Sequence, residues 1–384
     1  MDRTVVDARA ALARCVGDVD HFLGSAWGRE VVERHDTGDL DDLFSLDDVD
    51  HLLSSTSLRT PAFRLAKDGA VLPSSGYTRS ATIGGVAMPG IADAAKVFAQ
   101  FEAGATIVLQ GLHRYWPPLA RMVRDLEVAI GHPCQVNAYI TPPGSQGFDR
   151  HSDTHDVFVL QSFGAKSWRI WPPGEHEGDG REVDLRPGST LYLPMGTPHA
   201  ARTQDTISGH LTIGIQPQTW RTALTSTVTA LMSDATFDDR LPAGFLADPE
   251  ALEKEVDERL RHLRDSLEQT DSDTVAAELT GTFLTTRLPV LRGGLLDAAR
   301  GAGLADDTLL RRRPGSLCVV RTDGDRLDVL LGDRRLTMPG WLAPALDDVC
   351  ARDQLTPSDL PIDPQSRVVL CRRLVREGLL EIVG

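Results

Sequence analysis

Hydrophobic spacing changes along the chain and divides it into four stretches. Up to about residue 75 no single period holds. Val31-Val32-Glu33-Arg34 is mixed, while Leu40, Leu43 and Phe44 recur at helical spacing within the acidic stretch 36–50. That predicts a helical and looped flank, 1–75, packed over a core. From 76 to 217, Gly and Pro punctuate short β-branched or aromatic runs at 106–109, 134–140, 157–160, 167–171, 189–193 and 210–215. Short strands at such intervals predict a barrel or sandwich. One helix interrupts them, from about Pro118 to Ile130, with Leu119, Met122, Val123, Leu126 and Ile130 on one stripe.

Residues 218–305 return to helical spacing, in segments near 219–233 and 249–267. In the second, Leu252, Val256, Leu260, Leu263 and Leu267 share a stripe on an otherwise charged helix. A two-faced region of this kind predicts packing against a partner chain, hence a homodimer, or packing on its own barrel. Residues 306–384 read as a small α+β module. A hairpin over 317–331 turns at Thr322-Asp323-Gly324-Asp325. Helices near 341–351 and 366–376 follow, and Leu379–Ile382 forms a closing strand. The order is that of a winged helix.

Composition narrows the function. The chain has 384 residues and a net charge of −15. Nucleic-acid binding rests on clustered Lys and Arg, and acidic residues outnumber basic ones even in the C-terminal module, so direct DNA binding is not expected. No apolar run reaches the ~18 residues of a membrane helix. The first residues lack the pattern of a signal peptide. Five scattered cysteines form no CxxC, which disfavours a disulfide framework or a thiolate zinc site. The expectation is a cytoplasmic protein with no membrane partner.

The chemistry concentrates in His151-Ser152-Asp153-Thr154-His155-Asp156. If this segment is a strand, His151 and Asp153 point to one face. Tyr192-Leu193-Pro194-Met195-Gly196-Thr197-Pro198-His199 adds an apolar strand, a tight turn and a histidine. His151, Asp153 and His199 would then make a two-His-one-carboxylate triad, the donor set of non-haem Fe(II) oxygenases with open coordination positions. The alternative is a surface His–Asp pair with His199 as a turn residue. His155 is a competing ligand or, on the preferred reading, a structural neighbour. Lys166 lies in a strand–turn–strand stretch and either aims into the barrel, where a buried cation needs an anion, or sits exposed on the turn.

These residues resemble the JmjC-type ribosomal oxygenases, cupin-like protein hydroxylases that depend on 2-oxoglutarate and Fe(II). Asn137-x-Tyr139 precedes the HxD at the family distance. Asp156-Val157-Phe158-Val159-Leu160-Gln161 follows it. Lys166 stands at the family's co-substrate cation, with Trp168 beyond it, and Pro198-His199 at the distal ligand. The resemblance is specific over about 80–220. The helical region and winged-helix-like end agree by order more than by motif.

The resemblance implies a mainly β core plus α: a double-stranded β-helix (jelly-roll/cupin, JmjC) with a helical dimerisation region and a winged-helix-like module. It implies Fe(II) on His151, Asp153 and His199, and O2 and 2-oxoglutarate as co-substrates. The distal carboxylate of 2-oxoglutarate would meet Lys166 and Tyr139. Asn137 would face co-substrate or substrate, and Thr212 would line the pocket. Many relatives carry a polar residue where this chain has Gly214. The implied activity is hydroxylation of a protein side chain, ribosomal in the family pattern. Alternatives are the same chemistry on a natural-product precursor peptide, demethylation, a cupin enzyme that dispenses with 2-oxoglutarate, or a non-catalytic metal- or small-acid-binding protein.

Overall fold

The computed structural model describes residues 3–35, 38–145, 149–172, 174, 178–203 and 205–383. Helix α1 (Arg3–Val16) and the single turn α2 (Val19–His21) lead into strand β1 (Val32–Arg34). Helix α3 (Leu46–Ser55) precedes a hairpin of β2 (Phe63–Lys67) and β3 (Ala70–Val71). A second hairpin, β4 (Thr78–Ile83) and β5 (Val86–Ala92), is followed by α4 (Ala94–Glu102) and β6 (Thr106–Leu109). Helix α5 (Pro117–Ile130) begins on proline and stops at Gly131, whose φ of 68° closes the last turn.

Seven strands complete the core: β7 (Cys134–Thr141), β8 (Asp156–Phe163), β9 (Lys166–Ile170), β10 (Arg181–Leu185), β11 (Thr190–Leu193), β12 (His199–Thr203) and β13 (Ser208–Ile215). With β1, β2, β3 and β6 they form an eight-stranded sheet in the order β1-β11-β8-β13-β7-β6-β2-β3 and a three-stranded sheet in the order β10-β9-β12. Both sheets line one internal cavity. The outer face of the large sheet is covered by α1 and α5, whose Leu12, Leu119, Met122 and Leu126 join Val136, Ala138, Leu211 and Ile213 in the main core. The smaller sheet has its own apolar layer of Trp168, Ile170, Val183 and Leu185 against Val157, Val159, Leu191 and Leu193.

The flank expected over 1–75 is not separate from the barrel. Strand β1 pairs with β11, and β2 pairs with β6, so the large sheet begins at Val32. Phe63 and Leu65 alternate inward on β2 and are fully buried, a period of two too short to stand out beside the helical residues around it. Leu40, Leu43 and Phe44 are buried too, but in a turn. The helix starts later, where Ser45 and Asp48 form a reciprocal capping box.

Beyond the core come α6 (Trp220–Leu231), α7 (Pro249–Glu268), α8 (Ser272–Thr285) and α9 (Gly294–Arg300). Neither α6 nor α7 contains a buried residue. The C-terminal part contains β14 (Leu310–Arg312), β15 (Val319–Asp323), β16 (Arg326–Leu330), β17 (Arg335–Pro339), α10 (Ala343–Ala351), β18 (Gln354–Leu355), α11 (Pro364–Arg376) and β19 (Leu380–Ile382). Strands β15, β16 and β17 form an antiparallel meander, and β14 pairs with both β18 and β19. This part has a core of its own around Leu346, Val349, Cys371 and Leu374. Among the described residues, no helix is long and apolar enough to cross a membrane.

Candidate metal centre and its pocket

One ligand atom from each of His151, Asp153 and His199 lies within 4.8 Å of the others. The route to this convergence differs from the expected strand. His151 and Asp153 lie in a loop leading into β8, and regular alternation does not aim them. The main chain does so instead. His151 forms an isolated antiparallel bridge with His199, the first residue of β12. Its N–H donates to the His199 carbonyl at 3.0 Å, and its carbonyl accepts from the His199 N–H at 2.8 Å. The Gly196 N–H donates to the Asp153 carbonyl at 2.9 Å and ties the turn before His199 to the carboxylate's own segment.

Side chains fix the imidazoles further. His151 Nδ1 lies 2.8 Å from the Asp149 carbonyl, and His199 Nδ1 lies 3.0 Å from the Thr197 carbonyl. A carbonyl only accepts, so each Nδ1 carries a proton, which makes Nε2 the nitrogen open to a metal. Metal-bound histidines characteristically bond outward in this way. Burial holds the His199 imidazole below its ordinary pKa, and hence neutral, as a ligand must be. His199 Nε2 stands 3.7 Å from Asp153 Oδ2. Two imidazoles and a carboxylate with their donor atoms inward fit a divalent transition metal.

The other expected residues line the same cavity, of about 130 Å³. Gln135, Asn137, Tyr139 and Thr141 alternate along β7, and Gly214, Thr212 and His210 on β13 face the first three of them in register. Lys166 is 2% exposed, which excludes an exposed turn lysine. Its Nζ donates to Thr141 Oγ1 at 3.3 Å, and among the described residues no carboxylate pairs with it. Burial pushes this ammonium down to about 7. Tyr139 stacks on His210, with centroids 5.2 Å apart at 8°. Its phenol is raised above its ordinary value, first by burial. Asn137 turns its Oδ1 to accept from the Gly111 N–H at 3.0 Å. Trp168 stands between the two buried imidazoles, 5.7 Å from His199 and 5.5 Å from His210.

Three contributors escaped the sequence reading. Thr141, the hydroxyl beside Lys166, was signalled by the same period of two that linked Asn137 and Tyr139. Asp156 accepts from Tyr192 Oη at 3.1 Å and from the Met195 N–H at 2.8 Å, so it anchors the turn that delivers His199. Its partners lie 36 and 39 residues away, and no local pattern signals them. The third is the fit of His155 to Gly214. A methyl group at Gly214 would lie 2.5 Å from His155 Nε2. Gly214 has ordinary strand geometry, so its lack of a side chain makes room for a ring and serves no backbone need. His155 lines the cavity and lies outside the three-residue cluster. His176 falls outside the described residues.

A sequence profile described as the JmjC domain matches residues 114–223. The chain carries a JmjC domain. The chain is 34% identical over 208 residues to ribosomal oxygenase 2 of Bos taurus, covering 48% of this chain and 45% of that protein. It is 32% identical over 224 residues to ribosomal oxygenase 1 of Rattus norvegicus, covering 52% and 36%. The chain thus matches less than half the length of these relatives. Among solved structures, the fold is similar to that of YcfD, a ribosomal oxygenase from Escherichia coli in complex with cobalt and 2-oxoglutarate. The TM-score is 0.60 at 19% identity, over 96% of this chain and 98% of that one. The JmjC domain contains all three residues of the metal cluster as well as Lys166 and Tyr139.

Proposed function

We propose that this protein is an Fe(II)- and 2-oxoglutarate-dependent oxygenase that hydroxylates a protein side chain, with a ribosomal protein as substrate. The observation that carries the reading is Lys166. A buried ammonium whose one hydrogen-bond partner among the described residues is a threonine hydroxyl calls for an anion, and it shares its cavity with a ready-made metal-binding cluster. A dicarboxylate with a chelating end answers both. The relatives named ribosomal oxygenases, and the fold shared with YcfD, support the substrate class.

On this reading His151, Asp153 and His199 hold the metal. Lys166, with Thr141 and Tyr139, receives the distal carboxylate through charge-assisted bonds that set the co-substrate's register. Asn137 and Thr212 line the remaining wall. Trp168 and Val159 keep bulk water from the inner end. When bound, Fe(II), O2 and 2-oxoglutarate supply the oxidation itself: decarboxylation to succinate, coupled to insertion of one oxygen atom into a C–H bond. No side chain need act as a general base, and the site offers no obvious acid–base pair.

We further infer a cytoplasmic homodimer that binds neither DNA nor membrane, joined through the helical region and ending in a winged-helix-like module. Trp220 at 80% and Leu246 at 87% exposure, and the open Leu260 stripe of α7, support a covered surface there.

The test is succinate formation from 2-oxoglutarate by intact protein with Fe(II) and O2, with and without a bacterial ribosomal extract. Turnover that needs His199, weakens in Lys166→Ala and rises with the extract is expected, with one added oxygen in a ribosomal protein by intact mass. Folded, iron-loaded protein that fails to bind 2-oxoglutarate would overturn the reading.

A further inference from the structure

Two thiols meet in the C-terminal part of the chain, far in sequence from the metal cluster. The Sγ atoms of Cys318 and Cys350 lie 3.0 Å apart, across a separation of 32 residues. Both are reduced. Cys318 is buried just before β15, and Cys350 sits at the half-exposed end of α10. Arg312 braces the pair: its guanidinium donates to the carbonyl of Cys350 at 3.2 Å and to that of Ser316 at 3.4 Å. One cation therefore ties the Cys350 backbone to the segment two residues before Cys318, and the sulfurs need to move by only about 1 Å to reach bonding distance.

We propose that Cys318 and Cys350 form a peroxide-reactive dithiol that closes to a reversible disulfide. The half-exposed Cys350 thiolate attacks one oxygen of hydrogen peroxide. The O–O bond breaks, hydroxide leaves, and Cys350 becomes a sulfenic acid. The Cys318 thiolate then attacks that sulfur and expels the second hydroxide, which leaves as water. Two thiols and one peroxide give one disulfide and two waters. In a reducing compartment such a bond is transient and reports oxidant.

The other three cysteines behave differently. Cys15 and Cys134 are buried, and Cys371 is buried on the inner face of α11. Burial pushes the thiols of Cys15 and Cys371 up to about 12, and that of Cys134 well above its ordinary value. Low thiolate content makes them poor nucleophiles. The closed bond would fasten the lead into β15 to α10. That lead continues from Arg311–Leu317, which lines a cleft against α1 and α5. Oxidation would thus stiffen the C-terminal part where it meets the JmjC core.

The experiment uses the full chain, reduced, desalted and held in chelator so that iron plays no part. Peroxide is added from one to ten equivalents, free thiols are alkylated, and peptides are mapped without reduction. The expected result is loss of two of the five thiols and a Cys318–Cys350 linked peptide 2 Da below the sum of its parts, reversed by dithiothreitol. In Cys318→Ser, Cys350 should instead be trapped by dimedone as the sulfenic acid. A linked peptide in the natural chain decides the matter even if that variant fails to fold. Both thiols still alkylated at ten equivalents would overturn the proposal. So would Cys350 passing to sulfinic acid while Cys318 stays reduced.

Discussion

His151 and His199 exchange both main-chain hydrogen bonds, at 3.0 and 2.8 Å, although 48 residues separate them. Their rings lie 4.4 Å apart, and each is turned by a carbonyl bond of its own. The two imidazoles are therefore positioned by backbone pairing before a metal arrives. Little reorganisation is left for the binding step.

Removing one ligand should leave that scaffold standing. Neither main-chain bond needs an imidazole, so His199→Ala should fold with an unchanged circular dichroism spectrum. Its affinity for Co(II) should fall more than about 100-fold, since disturbing even an outer partner of a ligand costs about 10–100-fold. Titration of the cobalt absorption bands against His199→Ala and Asp153→Ala measures it. Retained affinity in both variants would place the metal elsewhere.

Lys166 sets a pH dependence of definite sign. Burial lowers it from 10.5 to about 7, so between those values the unfolded chain binds a proton that the folded chain does not. The protein without co-substrate should gain stability as pH rises through that window. Binding a dicarboxylate requires the ammonium, so above pH 7 it takes up a proton. Affinity for 2-oxoglutarate should then fall by up to about tenfold per pH unit. Calorimetry at pH 7, 8 and 9, in buffers of different ionisation enthalpy, reads both affinity and proton uptake. Lys166→Arg should bind with little pH dependence over this range.

The close fit of His155 to Gly214 predicts non-additivity. Gly214→Ala should destabilise by about 1–3 kcal/mol, the usual cost of overpacking. In a His155→Ala background the same change should be nearly silent, giving a coupling energy of similar size in a double-mutant cycle. Urea denaturation of the four proteins measures it. Additive effects would mean that the ring swings away freely.

Asp297 is the buried partner of Arg313, and it also accepts from the Ile382 N–H at 2.9 Å. Asp297→Ala leaves a guanidinium buried without its closest carboxylate. The expected loss is about 3–5 kcal/mol in the C-terminal part. Double replacement by Asp297→Ala and Arg313→Met should recover much of it. Calorimetric unfolding of the full chain separates the two results.

The site was largely legible because its residues sit in short, ordered motifs. HxD, Lys166 before Trp168, and Pro198-His199 each occupy a few consecutive positions. The strands from β6 to β13 were read wherever β-branched and aromatic residues clustered. What escaped was set by distant contacts. Strand β1 has three residues and exists because Tyr192 and its neighbours offer it a partner. Strand β12 carries no strand signal of its own because His199-Ala200-Ala201-Arg202-Thr203 has few apolar residues, and its pairing with β9 holds it extended. The HxD was expected on a strand and lies in a loop. The convergence inferred for it arises from the bridge to His199, a contact that local periodicity does not encode.

The lateral order of the large sheet bears on any shortened form of this protein. A fragment cut at residue 76 would keep every metal-binding residue and still lose β1, β2 and β3. Strand β11 and strand β6 would then each bare a row of unpaired amides and carbonyls, one at either flank. Such rows are templates for a neighbouring chain. The fragment that looks like the minimal catalytic unit should therefore self-associate and precipitate. In the full chain, β1 and β2 within the ordinary-looking first seventy residues cover both of those flanks.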